Sequence, residues 1–259
     1  MFADPLGVVD AVADAVPCVK FQSACYERYG PDGVRVRDEA VTAARERGLI
    51  VVLDAKRGDI GTTARGYAAA YLSEAAPFPS DAVTVNPYMG LDTLEPFLEE
   101  AEANGKGVVV LARTSNPGSA DFQARDLEGA PLYARVVEAL APAIQRLKGA
   151  GEWSSLMLVA GATGPDEARQ LRQLAPDALF LVPGYGAQGG GAEDALAGFK
   201  AVSNRLEGGV VNASRSVTFP AGSDTVESQA DWHALIVAAI EAAQTDLSMH
   251  AGRVPVASG

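Results

Sequence analysis

Seven short apolar runs, most of them leading into polar residues, constrain this chain more than any other feature. The clearest is Leu49-Ile50-Val51-Val52-Leu53, preceded by a helix stop at Gly48 and followed by Asp54. A continuous β-branched run of this length is the pattern of a parallel strand buried on both faces. Similar runs span Val16 to Phe21, Ala82 to Val85, Gly107 to Leu111, Leu156 to Val159, Leu179 to Val182, and Val210-Val211. Between them lie stretches with helical spacing, among them Asp92 to Asn104, Leu132 to Lys148 and Asp166 to Leu174. Strand and helix in alternation predict a parallel sheet with helical crossovers.

Polar residues follow the strand ends one after another: Lys20, Asp54 and Lys56, Asn86, Thr114-Ser115-Asn116, Gly184-Tyr185-Gly186-Ala187-Gln188, and Asn212-Ala213-Ser214-Arg215. A doubly wound sheet would gather such residues at one switch point, whereas a barrel collects them from many strands on one face. The expected fold is therefore α/β, a (β/α)8 TIM-type barrel in a single domain, with a barrel core over about residues 16–217. A C-terminal helix is expected over about 226–246 and a mobile tail over 251–259. The chain has 259 residues, close to the about 250 typical of such barrels. Only seven strands can be counted, however, and the chain opens on an amphipathic helix over Val8 to Ala15. The first barrel strand is thus expected to be missing from the chain as given.

Hydrophobic residues make up 48% and charged residues 21%, enough apolar side chain for a packed core and too much for a disordered chain. With 33 acids against 21 bases the net charge is −12, which argues against a broad nucleic-acid surface. It also means that any anion site must be built from a few local cations and backbone amides. No apolar run approaches the roughly 18 residues of a membrane span, and the N-terminal segment carries acids where a secretory signal needs bases. Two cysteines, Cys18 and Cys25, make neither a disulfide framework nor a four-ligand zinc site. A cytoplasmic protein without membrane association is expected.

Only five of the bases are lysines, and two of them stand at strand ends. Residues i and i+2 of a strand share a face, so Asp54 and Lys56 should project together. Asp59 follows in the tight Arg57-Gly58-Asp59-Ile60-Gly61 loop, and Lys20 ends the preceding strand beside Asp54. The expected result is an alternating array of Lys20, Asp54, Lys56 and Asp59 at a cavity mouth. Buried charges neutralise unless paired, so each member would keep its neighbours ionised and hold a lysine as a cationic proton donor. A lone Asp-x-Lys pair is more often a salt bridge at a sheet edge than a site of chemistry. Its position after a fully apolar strand, with glycine in the loop, favours chemistry.

The segment Leu53-Asp54-Ala55-Lys56-Arg57-Gly58-Asp59-Ile60-Gly61-Thr62-Thr63 resembles the active-site motif of the orotidine 5′-phosphate decarboxylase family, in its longer bacterial branch. The resemblance extends through Val19-Lys20-Phe21-Gln22, Val83 to Tyr88, Leu111 to Ser119, Leu181 to Gly190, and Val211 to Arg215, in order and each at a strand end. It implies a cofactor-independent lyase that converts orotidine 5′-monophosphate to uridine 5′-monophosphate in pyrimidine biosynthesis. By similarity, Lys56 protonates pyrimidine C6, Asp54 lies against the departing carboxylate, and Lys20 pairs with Asp54 and reaches the ribose. Asp59, Ile60 and Thr63 would serve the neighbouring subunit's site, implying a homodimer with shared sites. Ser115 would hydrogen-bond the pyrimidine, and Gln188 and Arg215 would hold the phosphate, with help from amides of the glycine-rich loop.

The resemblance stops short at the front. The family carries a further aspartate at the end of its first strand, in a Gly-x-Asp-Pro-like segment, and Asp4-Pro5 does not match it because no apolar strand precedes it. Two alternatives accompany the main reading. One is a Mg2+-dependent sugar-phosphate β-keto acid decarboxylase of the same superfamily, which would want an acid just upstream of Asp54, where Val52 and Leu53 stand. The other is an inactive truncated barrel that binds nucleotides. Cys18 and Cys25, His233 and His250, and Trp153 and Trp232 are read as structural; the roles of Asn86 and Asn116 stay open between substrate contact and loop ordering.

Overall fold

The computed structural model describes residues 4–186, 188–202 and 205–251. The strands are β1 (Cys18–Gln22), β2 (Ile50–Arg57), β3 (Ala82–Val85), β4 (Gly107–Arg113), β5 (Asp126–Leu127), β6 (Ala130–Pro131), β7 (Ser154–Ala160), β8 (Ala178–Val182), β9 (Lys200–Val202), β10 (Arg205–Glu207) and β11 (Gly209–Val211). The helices are α1 (Pro5–Val12), α2 (Ser23–Glu27), α3 (Gly30–Glu46), α4 (Gly61–Leu72), α5 (Glu95–Asn104), α6 (Ser119–Phe122), α7 (Leu132–Lys148), α8 (Pro165–Leu174), α9 (Ala192–Leu196), α10 (Arg215–Thr218) and α11 (Gln229–Ala251). Seven strands form one parallel sheet in the order β1-β2-β3-β4-β7-β8-β11. The remaining four make two small antiparallel pairs in the connections, β5 with β6 and β9 with β10.

Two layers of packing follow from strand alternation. On the inner face, Val52, Ala82, Val109, Val159 and Leu181 form a compact apolar plug. On the outer face, Val51, Leu53, Val83, Val108, Val110, Leu156, Leu158 and Phe180 join the larger core shared with the helices. Helix α7 shows how the sequence builds that layer: Tyr133, Ala134, Val137, Leu140, Ile144 and Leu147 are buried at helical spacing. Helix α8 begins at Pro165 with Asp166 and Glu167 in its first turn, a start that suits both the fixed φ of proline and the helix dipole.

The sheet curls but does not close among the described residues. Its edge strands β1 and β11 pair only on their inner sides, yet Val19 and Phe21 of β1 and Val210 and Val211 of β11 line one cavity of about 490 Å3. Helices α1 and α11 flank that cavity, through Val8, Val9 and Val12 on one side and Ile240 and Leu247 on the other. The seven-strand reading thus corresponds to a (β/α)8-type barrel open by one strand.

Several helix boundaries differ from the sequence reading; that expected from Asp92 begins at Glu95, and the largest differences are at the two ends of the chain. Helix α1 starts earlier, at Pro5, because the Asp4 carboxylate accepts from the Leu6 amide at 3.1 Å and proline suits the first turn. Helix α11 runs from Gln229 to Ala251, within which Ile236 and Ile240 are buried. The expected tail from 252 onward lies outside the described residues.

The β8–β11 side of the sheet is tied together by Arg172 of α8. Its buried guanidinium donates to the carbonyls of Gly198, Ala178 and Gly208 at 2.6–2.7 Å and stacks 3.9 Å from the Phe180 ring centroid. Replacing it orphans buried acceptors, so Arg172→Met is expected to lower stability by about 2–3 kcal/mol. The measurement is a urea unfolding curve, in which the midpoint falls while the slope is unchanged.

Candidate active site

The inner face changes character toward the C-terminal ends of β1 to β3. In the parallel register Lys20 stands beside Val52, and Gln22 beside Asp54. On β3, Thr84 stands beside Val109 of β4. Above the apolar plug the barrel therefore carries a polar floor of Lys20, Gln22, Asp54 and Thr84.

Asp54 is its centre. One carboxylate oxygen accepts from Lys20 Nζ at 2.8 Å and from Gln22 Nε2 at 3.3 Å. The other accepts from Lys56 Nζ at 2.5 Å and from the Thr84 hydroxyl at 3.0 Å. Asp54 is 6% exposed, and burial alone would push its carboxyl up. The Lys20 and Lys56 ammoniums outweigh that burial and hold it below the ordinary aspartate value.

Simple alternation does not deliver this geometry. Between the pairs Leu53–Val83 and Arg57–Val85, β2 advances four residues while β3 advances two. The excess is absorbed where Lys56 adopts φ 47°, in the left-handed region that non-glycine residues avoid. The Lys56 amide then donates to the Thr84 hydroxyl at 2.8 Å. Thr84 thus grips both the backbone of Lys56 and the carboxylate of Asp54, and such a conformation costs about 1–3 kcal/mol that its surroundings must offset.

The structure brings together three members of the expected array, not four. The Asp59 carboxylate accepts from the adjacent Ile60 amide at 2.8 Å and makes no ion pair among the described residues. The left-handed turn at Lys56 sends the chain away toward α4, so Asp59 leaves the cluster of its own chain. Ile60 is 62% exposed and caps α4, and Thr63 lies in the first turn of that helix, also exposed.

A second polar group stands at the ends of β4 and β8. The Ser115 hydroxyl donates to Gln188 Oε1 at 2.7 Å. Their approach depends on Gly161, where a Cβ would stand 2.9 Å from Ser115 Cα, so only glycine lets the loops after β4 and β7 pack this closely. Arg215 is the first residue of α10, exposed just beyond β11. The glycine-rich loop departs from expectation: the amides of Gly186, Gly189 and Gly190 already donate to carbonyls within it, and that of Gly191 to Asp194. Positive φ at Gly184, Gly186 and Gly189 serves this internal closure. Tyr185 anchors the loop by donating to Asp246 of α11 at 2.7 Å.

Both open asparagines order loops. Asn86 Oδ1 accepts from the Tyr88 amide at 3.0 Å, and Asn116 Oδ1 accepts from the Thr114 hydroxyl at 2.7 Å. His233 and His250 lie on α11. Gln22 and Thr84 are site residues that the sequence reading did not single out, though each carried a signal. Gln22 lies two residues beyond Lys20 on the same face, and Thr84 is the one polar residue of its strand. Among the described residues no group of three or more His, Cys, Asp or Glu side chains stands where it could hold a metal ion.

Comparison with known proteins agrees with this geometry. The profile of the orotidine 5′-phosphate decarboxylase / HUMPS family matches residues 2–229.

The chain belongs to this family.

It is 43% identical over 216 residues to the orotidine 5′-phosphate decarboxylase of Rhodopirellula baltica, covering 82% of this chain and 70% of that protein. To the enzyme of the same name from Haloarcula marismortui it is 44% identical over 230 residues, 86% of this chain and 75% of that one. The OMP decarboxylase structure from Leishmania donovani superposes with a TM-score of 0.75 at 29% identity, over 95% of this chain and 86% of that one.

In this family member Asp54 should titrate below the ordinary value of about 3.9. A depressed folded-state pKa gives stability that is fully present above the unfolded value and lost as pH falls through the folded one. Following the Asp54 carboxyl carbon by NMR should show this directly. In Lys20→Ala one opposing cation is gone while the burial remains, so the midpoint should move up; an unchanged midpoint would show that Lys20 does not hold the charge.

Proposed function

We propose that this chain decarboxylates orotidine 5′-monophosphate to uridine 5′-monophosphate in the cytoplasm, without metal or organic cofactor, as a homodimer with shared sites. The observation that carries this reading is the Asp54 carboxylate held between two lysine ammoniums at 2.8 and 2.5 Å on the C-terminal face of a barrel. Family membership and relatives at 43–44% identity support it.

In the proposed step the bond from pyrimidine C6 to its carboxylate breaks and CO2 leaves. The electron pair stays on C6 and takes a proton from Lys56 Nζ. Enzymes lower barriers by about 8–23 kcal/mol, more than one ion pair supplies. Preorganised cations aimed at the developing carbanion provide the larger share, and the barrel supplies two of them, already oriented by Asp54. Lys56 is assigned as the donor by the family resemblance, and its side chain is the more accessible of the two, 45% exposed against 14% for Lys20. Lys20 keeps Asp54 ionised and reaches the ribose.

Ser115 and Gln188 hold the far side of the substrate, Ser115 at the pyrimidine and Gln188 with Arg215 at the phosphate. Barrel phosphate sites commonly form after the last two strands, which here are β8 and β11. Binding energy from the phosphate then fixes the ring against Lys56. With the Gly186, Gly189 and Gly190 amides engaged internally, this role falls mainly to the Gln188 and Arg215 side chains. Asp59, Ile60 and Thr63 are exposed or half-exposed and turned away from the cluster of their own chain, which supports their serving a second subunit's site.

Lys56→Ala should reduce turnover at least a thousandfold while uridine 5′-monophosphate binding changes little, a loss in the range ascribed to a general acid with its charge. Loss of pyrimidine absorbance in the presence of a chelator is the assay. Turnover near wild type in the variant would remove Lys56 from the proton-donor role, and activity abolished by the chelator would favour the metal-dependent relative. Mixing Asp59→Ala with Lys56→Ala subunits should restore part of the activity; heterodimers without recovery would exclude shared sites.

A further inference from the structure

We propose that Arg57, clamped by Glu27, is a positioning residue that holds Lys56 in its left-handed conformation and so aims the ammonium into the site. The kinetic part of this proposal rests on the decarboxylase reading; the geometric part does not.

Arg57 follows the strained residue directly and its side chain leaves on the opposite face of the sheet. There the guanidinium lies 5.3 Å from the ring centroid of Tyr67 and 5.9 Å from that of Tyr71, both on α4. It donates to Glu27 Oε1 at 2.5 Å, to the Tyr71 hydroxyl at 3.2 Å and to the Ala55 carbonyl at 3.4 Å. Glu27 is itself fixed. The Ser23 hydroxyl donates to it at 2.6 Å, and Arg37 donates to that hydroxyl at 2.9 Å while gripping Asp38 with two nitrogens. Hydrogen bonds from Ser23 and then Arg57 hold the Glu27 carboxyl below its ordinary range.

The placement of these partners gives the contact its consequence. Glu27 ends α2, which begins at the residue after Gln22 and thus continues the strand carrying Lys20. Tyr67 and Tyr71 lie on α4, which begins just after the Asp59-Ile60 segment. One guanidinium therefore braces the chain leaving Lys20 against the chain on either side of Lys56. With Thr84 holding the Lys56 amide from within the barrel, the left-handed residue is pinned from both faces of the sheet. Without the outer anchor, the excess residues of β2 can relax, and Lys56 no longer has to meet Asp54.

The test uses Arg57→Ala and the gentler Glu27→Gln in the full chain. Arg57→Ala should lower kcat at least about tenfold, since misplacement of a reacting group by about an ångström is that costly. KM and the Kd for uridine 5′-monophosphate should stay within about twofold, because the phosphate contacts lie across the barrel. Glu27→Gln should move kcat the same way by about threefold. Independently of turnover, trace labelling with acetic anhydride read by mass spectrometry should show Lys56 acetylated at least about threefold faster in Arg57→Ala, and faster in Glu27→Gln, with Lys148 unchanged as internal reference. Unchanged Lys56 labelling, or weakened nucleotide binding with kcat intact, overturns the proposal. If the wild-type chain does not decarboxylate, the functional reading fails while the labelling still decides the positioning role. If Arg57→Ala does not fold, Glu27→Gln decides by the same two readouts.

Discussion

The buried Asp54 carboxylate is the charge around which the rest of this structure is arranged. A lone carboxylate at that depth would protonate, and two ammoniums at that separation would repel each other. Together they form a cluster in which the two ammoniums keep the carboxylate ionised, with Gln22 and Thr84 satisfying the remaining lone pairs. This arrangement places net positive charge at a barrel mouth in a chain whose overall charge is −12. Long-range attraction cannot bring an anionic substrate here, so local cations have to do it.

Holding that cluster requires a departure from regular strand geometry. Lys56 at φ 47° is one of two non-glycine residues with positive φ among the described residues; the other, Glu128, lies in the turn between β5 and β6. Strain of this kind persists where the surroundings over-determine it. Here the surroundings are a threonine inside the barrel and an arginine outside it. The same turn that aims Lys56 inward carries Asp59 out of the cluster of its own chain, where its carboxylate accepts from the adjacent Ile60 amide instead.

Much of the architecture was legible because it depends on periodicity. Continuous apolar runs identified the seven parallel strands, and the helical stripe of Leu132 to Lys148 identified α7 at its observed limits. The Lys20–Asp54–Lys56 contact was legible for a similar reason: adjacent parallel strands in register put their polar ends side by side. Two readings went differently. Asp59 was expected to meet Lys56, but loop direction depends on a backbone angle that residue identity at Lys56 does not announce. The glycine-rich loop was expected to offer its amides to an anion, but those of Gly186, Gly189 and Gly190 close the loop on itself, a pairing that depends on how the loop packs.

By itself, then, the sequence determined the fold class, the strand count and the identity of the charged groups at the strand ends, since these follow from side-chain chemistry and the periods of strand and helix. Only the tertiary structure decided which oxygen each lysine takes, that Gln22 and Thr84 complete the cluster, and that β1 and β11 face each other across an open cavity. It also decided that Arg57 is braced by partners from α2 and α4. Apart from Lys56 with Asp54, those contacts join residues more than ten positions apart, and their geometry arises from the register shift in β2 and the packing of helices against it, which no local pattern encodes.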